Sequence, residues 1–366
     1  MTTKLVIENL KNKPMRSLLS FLLIGVPVAL ILTLVGLANG MSQASQERAR
    51  GVGADIIVRG SNTTSALTVS QNSMSIAYLE YFRTKVPHIK QAMGVINHGI
   101  DFPLYVTGID LEDFNAMTGG FTYLAGQHGL RGLDDILVDE LYARQKKLRV
   151  GQTLSLMNHD WHLVGIIQGG KLARIVVSLK QLQDLDGTKD KVSQIYLKLD
   201  DPANVDAVTR YIKENTSLNV NTMEEFTAMY NVNNISGLSE FIFVIVCIGV
   251  VIGFAVVCLS MYMAVLQRTR EIGILKALGG SNSFILRIIL AEAIVLGLGG
   301  TVLGILMSFG AWWLIRTLVP SSLPMIIVPA WWPIAGGITL TGAILGSLYP
   351  GLSAARHDPI EALAYE

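Results

Sequence analysis

Residues 165–172, Gly-Ile-Ile-Gln-Gly-Gly-Lys-Leu, space glycines and a lysine almost as a phosphate-gripping loop does. Such a loop needs a Ser or Thr after the lysine to hold magnesium, and here Leu172 follows Lys171. Ala173–Ser178 then reads as a strand where the phosphate-binding helix should begin. The string therefore predicts no nucleotide chemistry. His159 and His162 could ligate a metal, but residues three apart on a strand face opposite ways. No further Cys or His nearby completes a tetrahedral set. The expectation is a chain with no catalytic residue, no metal site and no bound cofactor. Glu292 is a different kind of candidate. A carboxylate in an apolar run is costly in a bilayer and so points to function, with Arg287 a turn or so away as a partner for an interfacial ion pair.

The elements that must position these residues fall into two kinds of material. Of 366 residues, 51% are hydrophobic and 16% charged, well below the quarter charged of a globular chain, so part of this one belongs in lipid. Lys and Arg number 29 against 28 Asp and Glu, and that balance gives no electrostatic case for nucleic acid. Four apolar runs are long enough to span: 18–39, 240–265, 288–315 and 331–353. The first is read as an uncleaved anchor, preceded at 1–17 by a basic amphipathic elbow carrying Lys4, Lys11, Lys13 and Arg16. Cys247 and Cys258 share one run about 16 Å apart along a helix, beyond disulfide reach, and read as apolar packing.

Residues 40–239 are polar, punctuated by Gly and Asp, and long enough to bury a core. Strands are expected at 54–59, 98–108, 153–157, 162–168 and 175–178, and helices at 74–85, 138–147, 203–214 and 224–230. The block 149–170 reads as a small barrel or hairpin lobe, with a second lobe flanking it. The fold class is thus an α-helical membrane protein with four transmembrane helices and a large mixed α+β extracytoplasmic domain between the first and second. The loop 316–330 holds one charged residue and falls outside, while the 354–366 tail returns inside, so both termini are cytoplasmic.

The loop 266–287 is the distinctive stretch. It opens with Arg268, Arg270 and Glu271, a basic turn that the positive-inside tendency places in the cytoplasm. Ile272, Leu275 and Leu278 recur every third residue, giving a short helix with an apolar ridge, with Ile274 beside them. Gly279-Gly280 stops the helix, and Ser281 can cap the next one. A partner should dock there. The spans themselves carry few polar groups (Ser260, Thr301, Ser308, Thr339, Thr341 and Ser347), which argues against a hydrophilic pore. GxxxG pairs at Gly36/Gly40, Gly249/Gly253, Gly300/Gly304 and Gly342/Gly346 predict close helix packing.

The string R-x-R-E-I-G-I-L-K-A-L-G-G-S resembles the signature of MacB/FtsX-type permeases, membrane subunits of mechanotransmission (type VII) ABC systems. ENLKNKPMRSLLSFLLIGV near the start and YPGLSAARHDPIEAL near the end extend the resemblance across the chain. It implies a multi-pass subunit of a bacterial inner membrane, paired with itself or a paralogue. A cytoplasmic ABC ATPase, which would hold the ATP and magnesium, docks on Arg268, Arg270, Glu271, Ile272, Leu275, Leu278 and Gly279. The outer domain would expel or hand over lipid-like, lipoprotein, peptide or hydrophobic toxin substrates, with a periplasmic adaptor as a further possible partner. Two alternatives stay open: an FtsX-like regulator of a cell-wall hydrolase, and a membrane-anchored ligand sensor.

Overall fold

The computed structural model describes residues 14–61, 74–101, 104–232, 234, 237–267 and 269–356. The elbow expected at 1–17 lies outside these residues except for its last four, as does most of the 354–366 tail. The chain divides into two compact units. One comprises Met1–Ala38, Gly237–Leu314 and Met325–Glu366; the other comprises Asn39–Ser236 and Ile315–Pro324.

The first helix, α1 (Pro14–Arg50), runs unbroken through Pro27. It continues past the apolar run at 18–39 because Met41–Arg50 supplies Gln, Ala, Glu and Arg, which favour helix in water too. Gly51 and Gly53, the latter at φ +69°, end it. Residues from Asn39 onward already belong to the second unit.

After α1 come β1 (Ile56–Arg59), β2 (Met74–Ser75), α2 (Ala77–Lys85), β3 (Ile89–Asp101) and β4 (Leu104–Ile109). Then follow α3 (Leu111–Thr118), β5 (Tyr123–Gly126), β6 (Asp135–Asp139), α4 (Glu140–Lys146), β7 (Thr153–Leu156) and β8 (His159–Ile167). The unit closes with β9 (Ile175–Ser178), α5 (Leu179–Leu185), β10 (Lys191–Val192), β11 (Gln194–Leu199), α6 (Val205–Asn215), β12 (Asn219–Thr222) and α7 (Met223–Ala228). Ten strands form one sheet in the order β12-β1-β11-β3-β4-β9-β6-β8-β5, with β7 also on β8, while β2 and β10 pair separately. Among the described strands only β4–β9 and β6–β8 are parallel. Because β1 lies between β11 and β12, the segment entering the domain pairs with the segments leaving it.

Several expectations shift by local chemistry. The strand read at 98–108 is two antiparallel arms, with Asp101 opposite Leu104. The helix read at 138–147 begins at Glu140, since Val138 belongs to β6 and the Asp139 carboxylate accepts from the Tyr142 amide as its cap. The helix read at 74–85 begins at Ala77, after the short β2. The block at 149–170 is no separate lobe: its β7–β8 hairpin joins the common sheet through β6. The helix read at 203–214 begins at Val205, after a 3-10 turn at Pro202–Asn204 that Asp201 caps by accepting from the Ala203 amide.

Alternation along the strands builds a core on each face of the sheet. Ile56, Val58, Ile136, Val138, Ile175, Val177, Ile195 and Leu197 face one side, packed under α2, α4, α5 and α6. Ile57, Leu137, Val176 and Tyr196 face the other, against Phe114 and Met117 of α3, Phe226 of α7 and Ala49 of α1. Strands covered on both faces read as unbroken apolar runs, which is how IIV and IVV appear in the sequence.

The remaining helices are α8 (Leu238–Leu266), α9 (Thr269–Ala277), α10 (Asn282–Leu318) and α11 (Trp331–Arg356). Among the described residues four helices, α1, α8, α10 and α11, are long and apolar enough to cross a membrane. They meet through glycine. A Cβ on Gly304 would lie 2.6 Å from Val28 Cβ and 2.8 Å from the Gly25 carbonyl, so α1 and α10 touch backbone to backbone. Gly346 of α11 sits likewise against the Phe254 carbonyl of α8, whereas a Cβ on Gly253 would meet nothing. Five of the polar side chains turn back on their own helices: Thr301 to Gly297, Ser308 to Ile305, Thr339 to Ala335, Thr341 to Gly337 and Ser347 to Ile344. Ser260 instead meets Ser20 of α1 at 2.9 Å.

Candidate coupling site

The short helix α9 forms where the sequence places it, between two long apolar helices. Its end is fully specified. The Gly279 amide donates to the Lys276 carbonyl and the Gly280 amide to the Leu275 carbonyl, both at 2.9 Å. That pair of bonds is a Schellman ending, and Gly279 adopts the left-handed φ of +93° that it requires. Ser281 then caps α10, its hydroxyl accepting from the Phe284 amide at 3.2 Å. The turn is therefore set by three consecutive residues, Gly279, Gly280 and Ser281.

The faces of α9 differ from the expected ridge. Ile272 is half-buried and packs into the cluster of Val257, Met261, Val265 and Ile289. Lys276 turns the same way and donates to the Ala355 carbonyl at 2.9 Å, so its charge sits at the C-terminal end of α11, where helix carbonyls favour a cation. Leu275 and Leu278 do point outward, at 37% and 81% exposure, and Ile274 joins them at 45%. The free apolar edge is thus Ile274–Leu275–Leu278, with Ile272 serving as the anchor behind it. Sequence spacing alone ranked Ile272 above Ile274 because i, i+3 repeats look alike in either register. The i, i+4 pairing of Ile274 with Leu278 was the signal that distinguished them. Arg270 and Glu271 occupy the first turn of α9, while Arg268 lies outside the described residues.

Glu292 lies on α10 at 8% exposure, beside Ile289, Ala293 and Leu296 of the buried cluster. Arg287 is exposed. Five residues along a helix turn about 140° away from each other, so the two share no face and the expected interfacial pair does not form between them.

The other candidate residues have structural partners. His159 meets Asp134 at 2.8 Å and packs edge-on to Trp161, while His162 faces the opposite side. Lys171, in the near-phosphate string, donates to the carbonyls of Thr118 at 3.2 Å and Gly120 at 2.6 Å, closing the C-terminal end of α3. The Leu172 amide donates to the Arg48 carbonyl at 3.0 Å, and Gly51 packs on Gly170. The string therefore fastens the last turn of α1 to the sheet. A buried ion pair follows at once, Arg174 to Asp139 at 2.7 Å, in which burial pushes the guanidinium pKa down while Asp139 pulls it back up. Cys247 is exposed and Cys258 half-buried, both as free thiols.

Two family descriptions match this chain: the FtsX-like permease C-terminal region over residues 243–359, and the MacB-like periplasmic core domain over residues 17–215. The chain belongs to the MacB/FtsX family of ABC transporter permeases. The FtsX-like match contains the whole of α9 and its glycine stop. Over 98% of its length the chain is 22% identical to an uncharacterized ABC transporter permease of Methanocaldococcus jannaschii, covering 96% of that protein. It is 26% identical, over 96% of its length, to the macrolide export ATP-binding/permease protein MacB of Photorhabdus laumondii. The chain spans only 59% of that relative. The crystal structure of the periplasmic region of MacB from Actinobacillus actinomycetemcomitans aligns at a TM-score of 0.37 and 13% identity, covering 51% of this chain and 97% of that one. As an ABC transporter permease with four apolar helices and a MacB-like periplasmic domain, this MacB/FtsX member is a membrane protein.

Proposed function

We propose that this permease couples ATP hydrolysis by a separate cytoplasmic subunit to movement of its α/β domain on the far side of the membrane. The observation that carries the reading is the edge Ile274–Leu275–Leu278, held outward on a helix whose other face is anchored by Ile272 and Lys276. Apolar side chains on a rigid, glycine-stopped helix are what a partner's groove can bury. The docked ATPase holds the ATP and magnesium, and both termini and α9 face it from the cytoplasm. The subunit works as a pair, with itself or a paralogue, in a cell inner membrane, and an adaptor can join the far side. Thr301, Ser308, Thr339, Thr341 and Ser347 of the long helices bond back within their own helices, which supports substrates handled outside the membrane over solutes led through a polar pore. Lipid-like molecules, lipoproteins, peptides and hydrophobic toxins fit that description.

Leu278→Asp tests the docking. Burying a leucine against a partner is worth about 1.5–3 kcal/mol, and the charge adds to the loss. Each 1.4 kcal/mol is tenfold, so affinity should fall roughly a hundredfold or more. The expected outcome is a chain that reaches the membrane in normal amounts yet no longer retains ATPase activity through affinity purification. Full retention would mean that the partner docks elsewhere.

A further inference from the structure

The last turn of α10 and the first part of the loop to α11, Ile315 to Pro324, belong to the same compact unit as the α/β domain. One side chain ties this loop to the domain. Gln145, near the end of α4, accepts from the Ser321 amide at 2.9 Å and from the Ser321 hydroxyl at 2.5 Å. Its own amide group donates to the Ser322 hydroxyl at 3.1 Å. Ser321 is 1% exposed, so both of its donors are shielded from water and depend on this partner. A carboxamide is suited to the task because it offers an acceptor and donors side by side.

We propose that Gln145 is a positioning residue that clasps the α10–α11 loop, so that displacement of α10 enters the α/β domain through α4 as well as through α1 and α8. The proposal rests on the coupling reading above, since α10 begins directly after α9 at the glycine stop. The domain's main segment, Asn39–Ser236, joins the long helices covalently at the end of α1 and at the start of α8. The clasp supplies a further, non-covalent connection, reaching the helix next to α9 in sequence. It also lies in a domain region distinct from the α1 fastening: Gln145 is on α4, over one face of the sheet, whereas Ala49 packs on the other.

The test uses the full chain with its ATP-binding partner in phospholipid nanodiscs, followed by hydrogen exchange without nucleotide and with ATP plus vanadate. Gln145→Ala should raise exchange of the Ser321 amide about tenfold, as expected for losing roughly 1.4 kcal/mol of hydrogen bonding. It should also cut the nucleotide-dependent change at α4 to less than half, while ATPase activity still copurifies. Gln145→Glu keeps both acceptor contacts to Ser321 and should stay near wild type, which a loss of general stability would not reproduce. Unchanged Ser321 exchange in the alanine variant overturns the clasp. Raised exchange with a full response at α4 overturns its part in transmission. A wild-type complex that retains the partner but shows no nucleotide response at α4 also overturns the proposal while leaving the docking reading intact. Failure of the wild-type chain to retain the ATPase would sink the docking reading and this one with it.

Discussion

The α/β domain and the helix bundle keep their shapes by opposite means. In the domain, side chains reach across long stretches of sequence: Arg174 to Asp139, Lys171 to the end of α3, Gln145 to Ser321. In the bundle, glycines let backbones touch while most of the hydroxyls described above bond within their own helix, Ser20 to Ser260 excepted. The solvent explains the difference. Water drives apolar burial on both faces of the sheet, and polar bonds then decide which buried arrangement wins. Lipid gives helices no comparable drive to associate, so contact depends on close fit. Only 11% of the most apolar stretch of α8 is buried within this chain, against half of that of α1. Damage should therefore stay local and differ in kind: charge removal harms the domain, added bulk harms the bundle.

The largest effect is expected from Arg174→Met. It leaves Asp139, 2% exposed and capping α4, as a buried charge without its cation. Breaking such a pair costs about 3–5 kcal/mol. Hydrogen exchange of β6 and β9 should rise steeply while the bundle contact between α1 and α10 keeps its protection. Loss of protection in both would show that the two units unfold together, and the contrast would fail.

Next comes Gly304→Leu. A side chain there meets Val28 and the Gly25 carbonyl, and overpacking of that kind costs roughly 1–3 kcal/mol. Exchange should increase along α1 and α10 in the bundle but not at β11 in the middle of the sheet. The same substitution at Gly253, where a Cβ would meet nothing, is the control and should leave both regions unchanged.

Much of this contrast was legible in the sequence, because it rests on local patterns. Unbroken apolar runs gave the four long helices, and Gly279, Gly280 and Ser281 gave the turn after α9, since each acts within four residues of itself. What was illegible is non-local. Nothing near Lys171 announces that its amine will close α3, more than fifty residues earlier in the chain. Arg59 ends an apolar strand, yet its charged side chain is 1% exposed, over the Phe226 ring at 5.1 Å and bonded to Asn221. Even α9 divides this way: its stop was readable, but which leucine-like residue turned inward depended on Val257, Met261 and Val265 in another helix.

Lys171→Met separates those two kinds of information at smaller cost. Losing the donor to Thr118 and Gly120 should destabilise the end of α3 by about 1 kcal/mol, since Lys198 still holds the Met117 carbonyl. Exchange near residues 116–120 should rise several-fold, with the sheet centre unmoved. An equal rise at Leu172, whose amide bonds Arg48, would mean that the lysine also secures α1.

The smallest effect concerns two His–Asp pairs whose signs should differ within the domain. Asp186 meets His98 at 2.8 Å, and burial raises its carboxyl above the usual 3.8 while His98 pulls it down. A carboxyl raised in the folded state stabilises it fully only below the unfolded pKa, and that contribution is lost as pH rises through the folded value. Near neutrality the ionised Asp186 is therefore a small burden. Asp186→Asn removes the charge but keeps an oxygen for His98, so melting should rise at pH 7 by on the order of 1 °C. The gain should vanish in acid below about pH 4, where the wild-type carboxyl is protonated too. Asp200 is the reverse case: exposed, with the His88 hydrogen bond as the main cause of a lowered pKa. Its contribution is present above the unfolded pKa and lost as pH falls through the folded one, so Asp200→Asn should lower melting slightly at pH 7 and converge with wild type in acid. The same two residue types would then act with opposite sign because Asp186 is half-buried and Asp200 is exposed. If both variants shift in the same direction at pH 7, burial is not what sets the sign.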